Sequence, residues 1–434
     1  MFVKSTFLMA LALVAVSAFA QTSPKDVVKD IESIQQKTYA DARATGKAPD
    51  FTAMHAQMKE KAEAALKGMD WSKIDAKDAY DWAKVCSYAE EHKTVCDLTH
   101  KYLAANPTAP DKFDAEMLMM SSCNALGESS MLEGELKSVS PSTSDQSIQL
   151  AEETVYEFTD TIVKGKGAKD GVKVLESVAS KMTYVDPPVK AKEMLPNQKE
   201  QLAKAGKNVP SDDELLKTLT TRYQGQNDSI RLMFVDKETE LLNQEGKTKQ
   251  AVAKVDDFIK EIGPTSPIVK SANMLRTRLT LKGSPAPEIT FDKQYGTFTN
   301  LASLKGKVVV VDTFAHWCGP CKASFPEMRK MYDDLKPKGL EVVGVTEYYG
   351  FMGQDRGLTP DAEYAKMADF RTQYNMDWPI VFGPKSNFEN YGISGIPTAY
   401  VIDRSGKIRD IHVGYSPESF KEFRTEVEKL VDEK

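Results

Sequence analysis

"LKGKVVVVDTFAHWCGPCKASFPEM", residues 304–328, decides the fold of the last third of this chain. The apolar run "VVVVDTFA" (308–315) reads as a buried central strand, because a strand covered on both faces is apolar at successive positions. "CGPCKASFPEMRKMYDDL" (318–335) then opens a helix. Cys318 falls at the helix N-terminus, where the peptide dipole and free N–H groups favour negative charge. A thiolate at such a place has a lowered pKa, and the thiolate is the attacking species. Cys321 lies one turn later, near enough to close a disulfide. The spacing predicts a dithiol–disulfide couple in which one cysteine attacks a substrate disulfide and the other resolves the mixed disulfide.

Other residues gather around this pair. Asp312 lies on the strand, six residues before Cys318. Desolvation there raises a carboxyl pKa and makes Asp312 a candidate proton acceptor for Cys321; the structural alternative is a strand-end aspartate bonded to backbone. Pro397, in "SGIPTAY" (394–400), stands just before another strand. A cis Ile396–Pro397 bond would present the backbone of Ile396 to an incoming peptide, although cis is the minority form of X–Pro bonds. Trp317, Gly319, Pro320 and Ile396 are the candidate substrate-binding residues. His316 could stabilise the thiolate, but its composition and place read more simply as exposed and polar.

The surrounding texture is α/β. "LKGSPAPEITF" (281–291) punctuates the chain with Gly283, Pro285 and Pro287. After it come strand-like runs at 307–314, 340–347, 378–383, 398–403 and 407–414. Helical stretches at 319–336 and 360–375 lie among the first four, and a last helix covers 416–432. Strands separated by helices argue for parallel crossovers, and "DRSG" (403–406) for a hairpin turn.

Upstream, from Lys25 to about Lys282, apolar residues recur at three- and four-residue spacing, which predicts helices. Residues 93–122 echo 249–279: helix, then Pro-Thr-(Ala/Ser)-Pro, then helix. Pro107 and Pro264 should stop the first helix of each pair, and Pro110 and Pro267 should sit at the start of the second. Helix, short turn, helix suits a degenerate array of the tetratricopeptide kind, without a clean period. Residues 184–213 read as a long loop or a poorly packed helical insert.

"MFVKSTFLMALALVAVSAFAQ" (1–21) reads as a secretory signal peptide cleaved before Gln21. Its apolar run is shorter than the about 20 residues that span a bilayer, and no later segment looks transmembrane. Export makes a cysteine pair a redox object by default. Five cysteines are too few for a disulfide scaffold, so the chain must fold by burying a core, for which 41% apolar residues suffice. A net charge of −6 with mixed signs gives no basic patch for nucleic acid. The odd cysteines are Cys86, Cys96 and Cys123. A Cys86–Cys96 bridge across a turn near Glu91, a Cys86–Cys123 bridge between hairpins, and buried free thiols all fit.

The stretch from Ser284 to Val431 resembles the thioredoxin-like domain of exported thiol–disulfide oxidoreductases of the TlpA/ResA type. The resemblance rests on "GSPAPEITF", "LKGKVVVVDTFAHWCGPCKASFPEM" and "YGISGIPTAYVIDRSGKI", and covers about a third of the chain. It implies Cys318 as nucleophile, Cys321 as resolving thiol and Pro397 as the cis-proline beside them. Asp312 falls where thioredoxin has its buried aspartate. Ser324 departs from several relatives, which carry a glutamate there, so their proton relay does not transfer. The segment 348–378 is the group's usual place for an insertion, which the resemblance implies shapes the substrate groove. The Gly-Pro dipeptide is thioredoxin's, which favours a reductant or isomerase: thioredoxin works at about −270 mV and DsbA at about −120 mV on one fold.

The resulting organisation is a signal peptide (1–20), an all-α helical-hairpin domain (21–282) and an α/β thioredoxin-like domain (283–434). The expected partners are disulfide-containing periplasmic proteins and a membrane electron donor, with no nucleic acid, no metal and no cofactor beyond the Cys318–Cys321 disulfide. Zinc would need four N or S ligands, and only His316 stands near the pair. A peroxiredoxin would need threonine where Ala315 stands. In a non-enzymatic alternative, the helical half is a binding scaffold and the redox domain its accessory.

Overall fold

The computed structural model describes residues 23–45, 48–105, 108 and 110–433. The expected leader at 1–20 and the helix stop at Pro107 lie outside the described residues. The chain divides into two compact units: one runs to Asp170 and takes in Ser180–Met182, the other holds Gly171–Ala179 and Thr183–Lys434. The change from helix to sheet comes later, between Leu281 and Lys293. Among the described residues no helix is long and apolar enough to cross a membrane.

Among the described residues, the first unit is built of helices and their connections. Its clearest hairpin joins Ala76–Tyr88 to His92–Ala105. Asp75 caps the first helix through the Lys77 N–H, and Glu90 turns the chain with φ 61°. Ala79, Ala83, Val85, Val95 and Leu98 meet in the core between them. The three cysteines here are buried and unbridged. Neither expected bridge forms. Cys96 instead faces Cys123 of helix Lys112–Ala125, sulfur to sulfur at 3.6 Å. The reason is helical phase: Cys86 points into the core shared with Val85 and Val95, while Cys96 lies toward the next hairpin.

The second unit begins with helices. The segment 184–213 contains a helix, Pro187–Lys204, with Asp186 as its cap and Ala191 as its buried residue. Helix Asp212–Gln244 follows, opened by a Ser211–Glu214 capping box. Thr248–Ile262 and Val269–Leu281 form the second echo hairpin. Gly263 leaves the helical region with φ 73° just before Pro264, as the proline requires. The prolines expected at helix starts are displaced: the helices open at Lys112 and Val269, two residues after Pro110 and Pro267. At the second turn the cause is packing. The Pro267 ring lies against Gly225, where an added Cβ would come within 3.2 Å of it, and Ser266 donates to buried Asp228 at 2.7 Å.

The rest is a six-stranded sheet: β1 (Lys293–Tyr295), β2 (Val308–Thr313), β3 (Leu340–Thr346), β6 (Ile380–Phe382), β7 (Thr398–Ile402) and β8 (Ile408–Val413), in the order β1-β6-β3-β2-β7-β8. A small hairpin, β4 (Phe351–Met352) with β5 (Asp355–Arg356), stands apart. Every residue of β2 is buried. Alternation sends Val308 and Val310 to the face covered by helices Gly319–Leu335 and Pro417–Asp432. Val309 and Val311 face the other side with Tyr400, Phe388 and Leu281. So the last helix before the sheet is anchored on its rear face, where Gly392 comes too close to the Met274 carbonyl for any side chain.

The sheet is mixed rather than built wholly on parallel crossovers. β2, β3 and β6 are parallel, but β7 runs antiparallel to β2. Between β6 and β7 lies only the five-residue helix Ser386–Asn390, about 7 Å long at 1.5 Å per residue. β7 starts at the end where β6 stopped, with Thr398 paired to Thr313 at the close of β2. That end also holds the Cys pair.

Candidate active site

Strand β2 ends at Thr313, and the chain turns sharply into helix Gly319–Leu335. Cys318 is the N-cap of that helix: its sulfur accepts the Cys321 N–H at 3.1 Å. Pro320, inside the first turn, costs no hydrogen bond there. Cys318 and Cys321 form a disulfide across this turn, with Cα atoms 5.3 Å apart. Cys318 keeps a 4% exposure and Cys321 none. Trp317, Gly319 and Pro320 are exposed around them.

The Ile396–Pro397 bond is cis, and the Ile396 carbonyl oxygen lies 3.7 Å from the Cys318 sulfur. Two hydroxyls fix this corner: Thr398 donates to Gly395 and Thr313 to Thr398. The sequence-predicted residues Trp317, Cys318, Gly319, Pro320, Cys321, Ile396 and Pro397 thus meet at one end of the sheet.

Asp312 sits beneath them. It is fully buried, its Oδ2 has no hydrogen-bond partner, and burial raises its carboxyl to about 7. It shares a small cavity with Ser324, Met328, Pro397, His412 and Tyr415. Ser324 does not take up the acid: its hydroxyl donates to the Cys321 carbonyl at 2.8 Å.

His316 is a correction. It is buried, not exposed. Its ring meets Tyr349 and Phe351 edge-on, and its Nε2 lies 3.7 Å from Glu363. Burial lowers its pKa against the pull of Glu363. Glu363 is itself fully buried on helix Pro360–Gln373, and its carboxylate accepts the backbone N–H groups of Tyr349 and Gly350 at 2.7–3.0 Å. The segment after β3 is thereby pinned to the Cys loop, and Tyr349 packs edge-on against Trp317. Glu363 and Tyr349 escaped the sequence reading. Nothing in "TPDAEYAKM" marks one acid of an ordinary helix as inward-facing. His412, on β8, also reaches the cavity.

Residues 281–428 match the family described as Redoxin. The chain is 29% identical over 139 residues to the thiol-disulfide oxidoreductase ResA of Bacillus subtilis, covering 32% of this chain and 70% of that protein. It is 29% identical over 133 residues to the thioredoxin-like protein YneN of the same organism, covering 31% and 72%. Among solved structures, a putative thiol:disulfide interchange protein DsbE from Chlorobium tepidum is 31% identical, covering 35% of this chain and 97% of that chain, with a TM-score of 0.30.

Proposed function

Residues 281–428 being a redoxin-family, thioredoxin-like domain of the ResA thiol–disulfide oxidoreductase type, we propose that Cys318 and Cys321 are its working couple and that it reduces or isomerises disulfides of exported proteins. The observation that carries this is the Cys318–Cys321 disulfide at a helix N-terminus, beside the Ile396 carbonyl.

In the reduced enzyme, the helix N-terminus holds Cys318 as a thiolate. The Cys318 sulfur attacks one sulfur of the substrate disulfide, and the substrate S–S bond breaks. One substrate thiolate leaves and takes a proton from solvent; the other sulfur stays bonded to Cys318. Cys321 then passes its proton to Asp312, whose affinity for it is raised by burial. The Cys321 thiolate attacks the Cys318 sulfur, the mixed disulfide breaks, and the second substrate sulfur departs as a thiolate that takes its proton from solvent. The substrate gains two electrons and two protons; the enzyme keeps the Cys318–Cys321 disulfide. The exposed Trp317, Gly319 and Pro320, with the backbone of Ile396, form the surface that receives the substrate.

The leader-like sequence at 1–20 and the resemblance to the exported TlpA/ResA type support action outside the cytoplasm, with disulfide-containing proteins as substrates and a membrane reductant as electron source. No cofactor besides the disulfide is needed. The helical half, 21–282, is proposed to bind or present substrates to the redox domain, 283–434. The test is the reduction potential of the couple by equilibration with dithiothreitol or glutathione, with Cys318→Ser as control. A value near thioredoxin's about −270 mV supports the reductant; one near DsbA's about −120 mV reverses the direction. No titratable couple at all ends the enzymatic reading of this cysteine pair.

A further inference from the structure

Asp312 stands in a row with two residues on neighbouring strands. The register pairs Asp312 with Ala399 and Ala399 with His412. Paired residues point to the same face, and strands lie about 4.8 Å apart, so the Asp312 and His412 backbones are about 10 Å apart on one face. Between them stands only the methyl of Ala399. The space that a larger side chain would fill is the cavity shared by Asp312, Ser324, Pro397, Ala399 and His412. It has room for about one water. Two buried polar atoms around it have no partner: Asp312 Oδ2 and His412 Nε2. A buried polar atom without a partner is costly, and here two occur across one cavity.

We propose that His412 acts through Asp312 as the outer station of its proton path. This rests on the functional reading above. Cys321 gives its proton to the Asp312 carboxylate, and a water in the cavity relays it to His412 Nε2. The imidazolium then releases a proton to solvent, and Asp312 is again a carboxylate for the next turnover. No electrons move in this step: an S–H bond is broken and the proton is handed outward. The surroundings of His412 suit a transient carrier. Its ring stacks on Phe423 at 4.9 Å. Asp410 on its own strand and Glu422 on helix Pro417–Asp432 favour the charged form, but burial outweighs them and keeps the resting ring neutral. Met328 and Ser324 face the cavity from helix Gly319–Leu335, and Tyr415 from the loop after β8. None of these three brings a formal charge at neutral pH.

The experiment compares full-length wild type, His412→Phe, Asp312→Asn and the double variant. Phenylalanine keeps the stack on Phe423 and removes both nitrogens. Resolution of a preformed mixed disulfide is followed from pH 5.5 to 8.5, with alkylation of reduced Cys318 by iodoacetamide as a measure of the first step. The expected result is resolution slowed about tenfold or more in His412→Phe, toward the lower bound for lost proton transfer. The profile shifts in pH, alkylation is unchanged, and the double variant is no slower than Asp312→Asn. A wild-type pH profile in His412→Phe, or a loss that adds to that of Asp312→Asn, overturns the relay. The carboxyl carbon of Asp312 is also titrated by NMR in the resting disulfide form, which needs no turnover. Its titration should move in His412→Phe; an unmoved titration overturns the link. Wild type with no disulfide turnover but a coupled Asp312–His412 titration would sink the functional reading alone.

Discussion

Cys318 and Cys321 are joined; Cys96 and Cys123 face each other at 3.6 Å and are not. Both pairs are buried, so burial alone does not separate a working couple from a packed one. What differs is the backbone around them. Cys318 caps a helix, with the first-turn N–H of Cys321 pointing at its sulfur. A backbone carbonyl and an exposed tryptophan stand beside it. Beneath it lies an acid whose pKa burial has raised toward neutrality. Cys96 and Cys123 sit within helices whose N–H groups are already used. The contact with Cys96, followed by burial, pushes the Cys123 thiol far above its ordinary range, and burial carries Cys86 to about 12. Cysteine reactivity here is a property of helix ends and neighbouring acids.

The sharpest way to break this comparison is to remove one sulfur from each pair. Cys318→Ser should lower the rate of insulin-disulfide reduction by roughly three orders of magnitude or more, as loss of a nucleophile does elsewhere. Cys96→Ala should leave that rate within about twofold, since no part of the proposed chemistry passes through it. Loss of turnover in Cys96→Ala with normal melting would mean that the helical pair takes part in electron transfer.

Asp312→Asn sharpens the comparison from the other side, because it changes the acid and leaves both sulfurs. Burial raises the Asp312 pKa from 3.8 to about 7. In acid both folded and unfolded chains carry the proton, and nothing is lost. As pH rises past 3.8 the unfolded chain ionises first, so stability falls until pH passes the folded value near 7 and then levels off. The full loss is about 4 kcal/mol at 1.36 kcal/mol per unit. Asparagine, which cannot ionise, should be more stable than wild type above pH 7 by up to that amount, and should lose the advantage near pH 4. Urea melts at the two pH values check it. The same variant should slow resolution of the mixed disulfide, so stability and turnover move in opposite directions.

How far such contrasts could be read from the chain depends on the range of the interaction. The strand and helix flanking the Cys pair were legible to within a residue or two: 307–314 against Val308–Thr313, and 319–336 against Gly319–Leu335. Both signals are local, an unbroken apolar run and a helix opened by Gly-Pro. Asp312 was legible because it stands inside that run. His316 was not, because the partner that buries it, Glu363, lies 47 residues away on a helix with no distinguishing pattern. The short strands β1, β4 and β5 carry two or three residues each, too few for alternation to register. The Cys96–Cys123 contact depends on how two helices turn about their axes, and spacing along the chain does not specify that.

Glu363 supplies an intermediate effect. Glu363→Gln keeps the shape but replaces one acceptor oxygen with a donor, which cannot accept from Tyr349 and Gly350 together with the other oxygen. A buried hydrogen bond to a charged group is worth about 1.5–3 kcal/mol, so the variant should lose about that much stability and loosen the Tyr349 contact with Trp317. Proteolysis of the segment around β4 and β5 should quicken, and the fluorescence of Trp317 should shift red. Unchanged fluorescence and proteolysis would mean that the insertion stands without its buried acid.

The smallest expected effect belongs to the packed pair, and it sets the floor of the comparison. Cys123→Ala removes one sulfur from a fully buried site and leaves a space about the size of a methylene group, worth about 1 kcal/mol. Cys96 then loses its sulfur partner but no strong hydrogen bond, since a thiol is a weak donor and a weak acceptor. Chemical melts should therefore show a loss of about 1 kcal/mol, with the Cys318–Cys321 potential unchanged. A loss several times larger in wild-type background, abolished by prior reduction with dithiothreitol, would show that the two sulfurs close a covalent bridge in the folded protein. In that case the contrast between the pairs would lie in how easily each bond is reduced. The helix-end argument would then apply to the reducibility of the bond instead of to its existence.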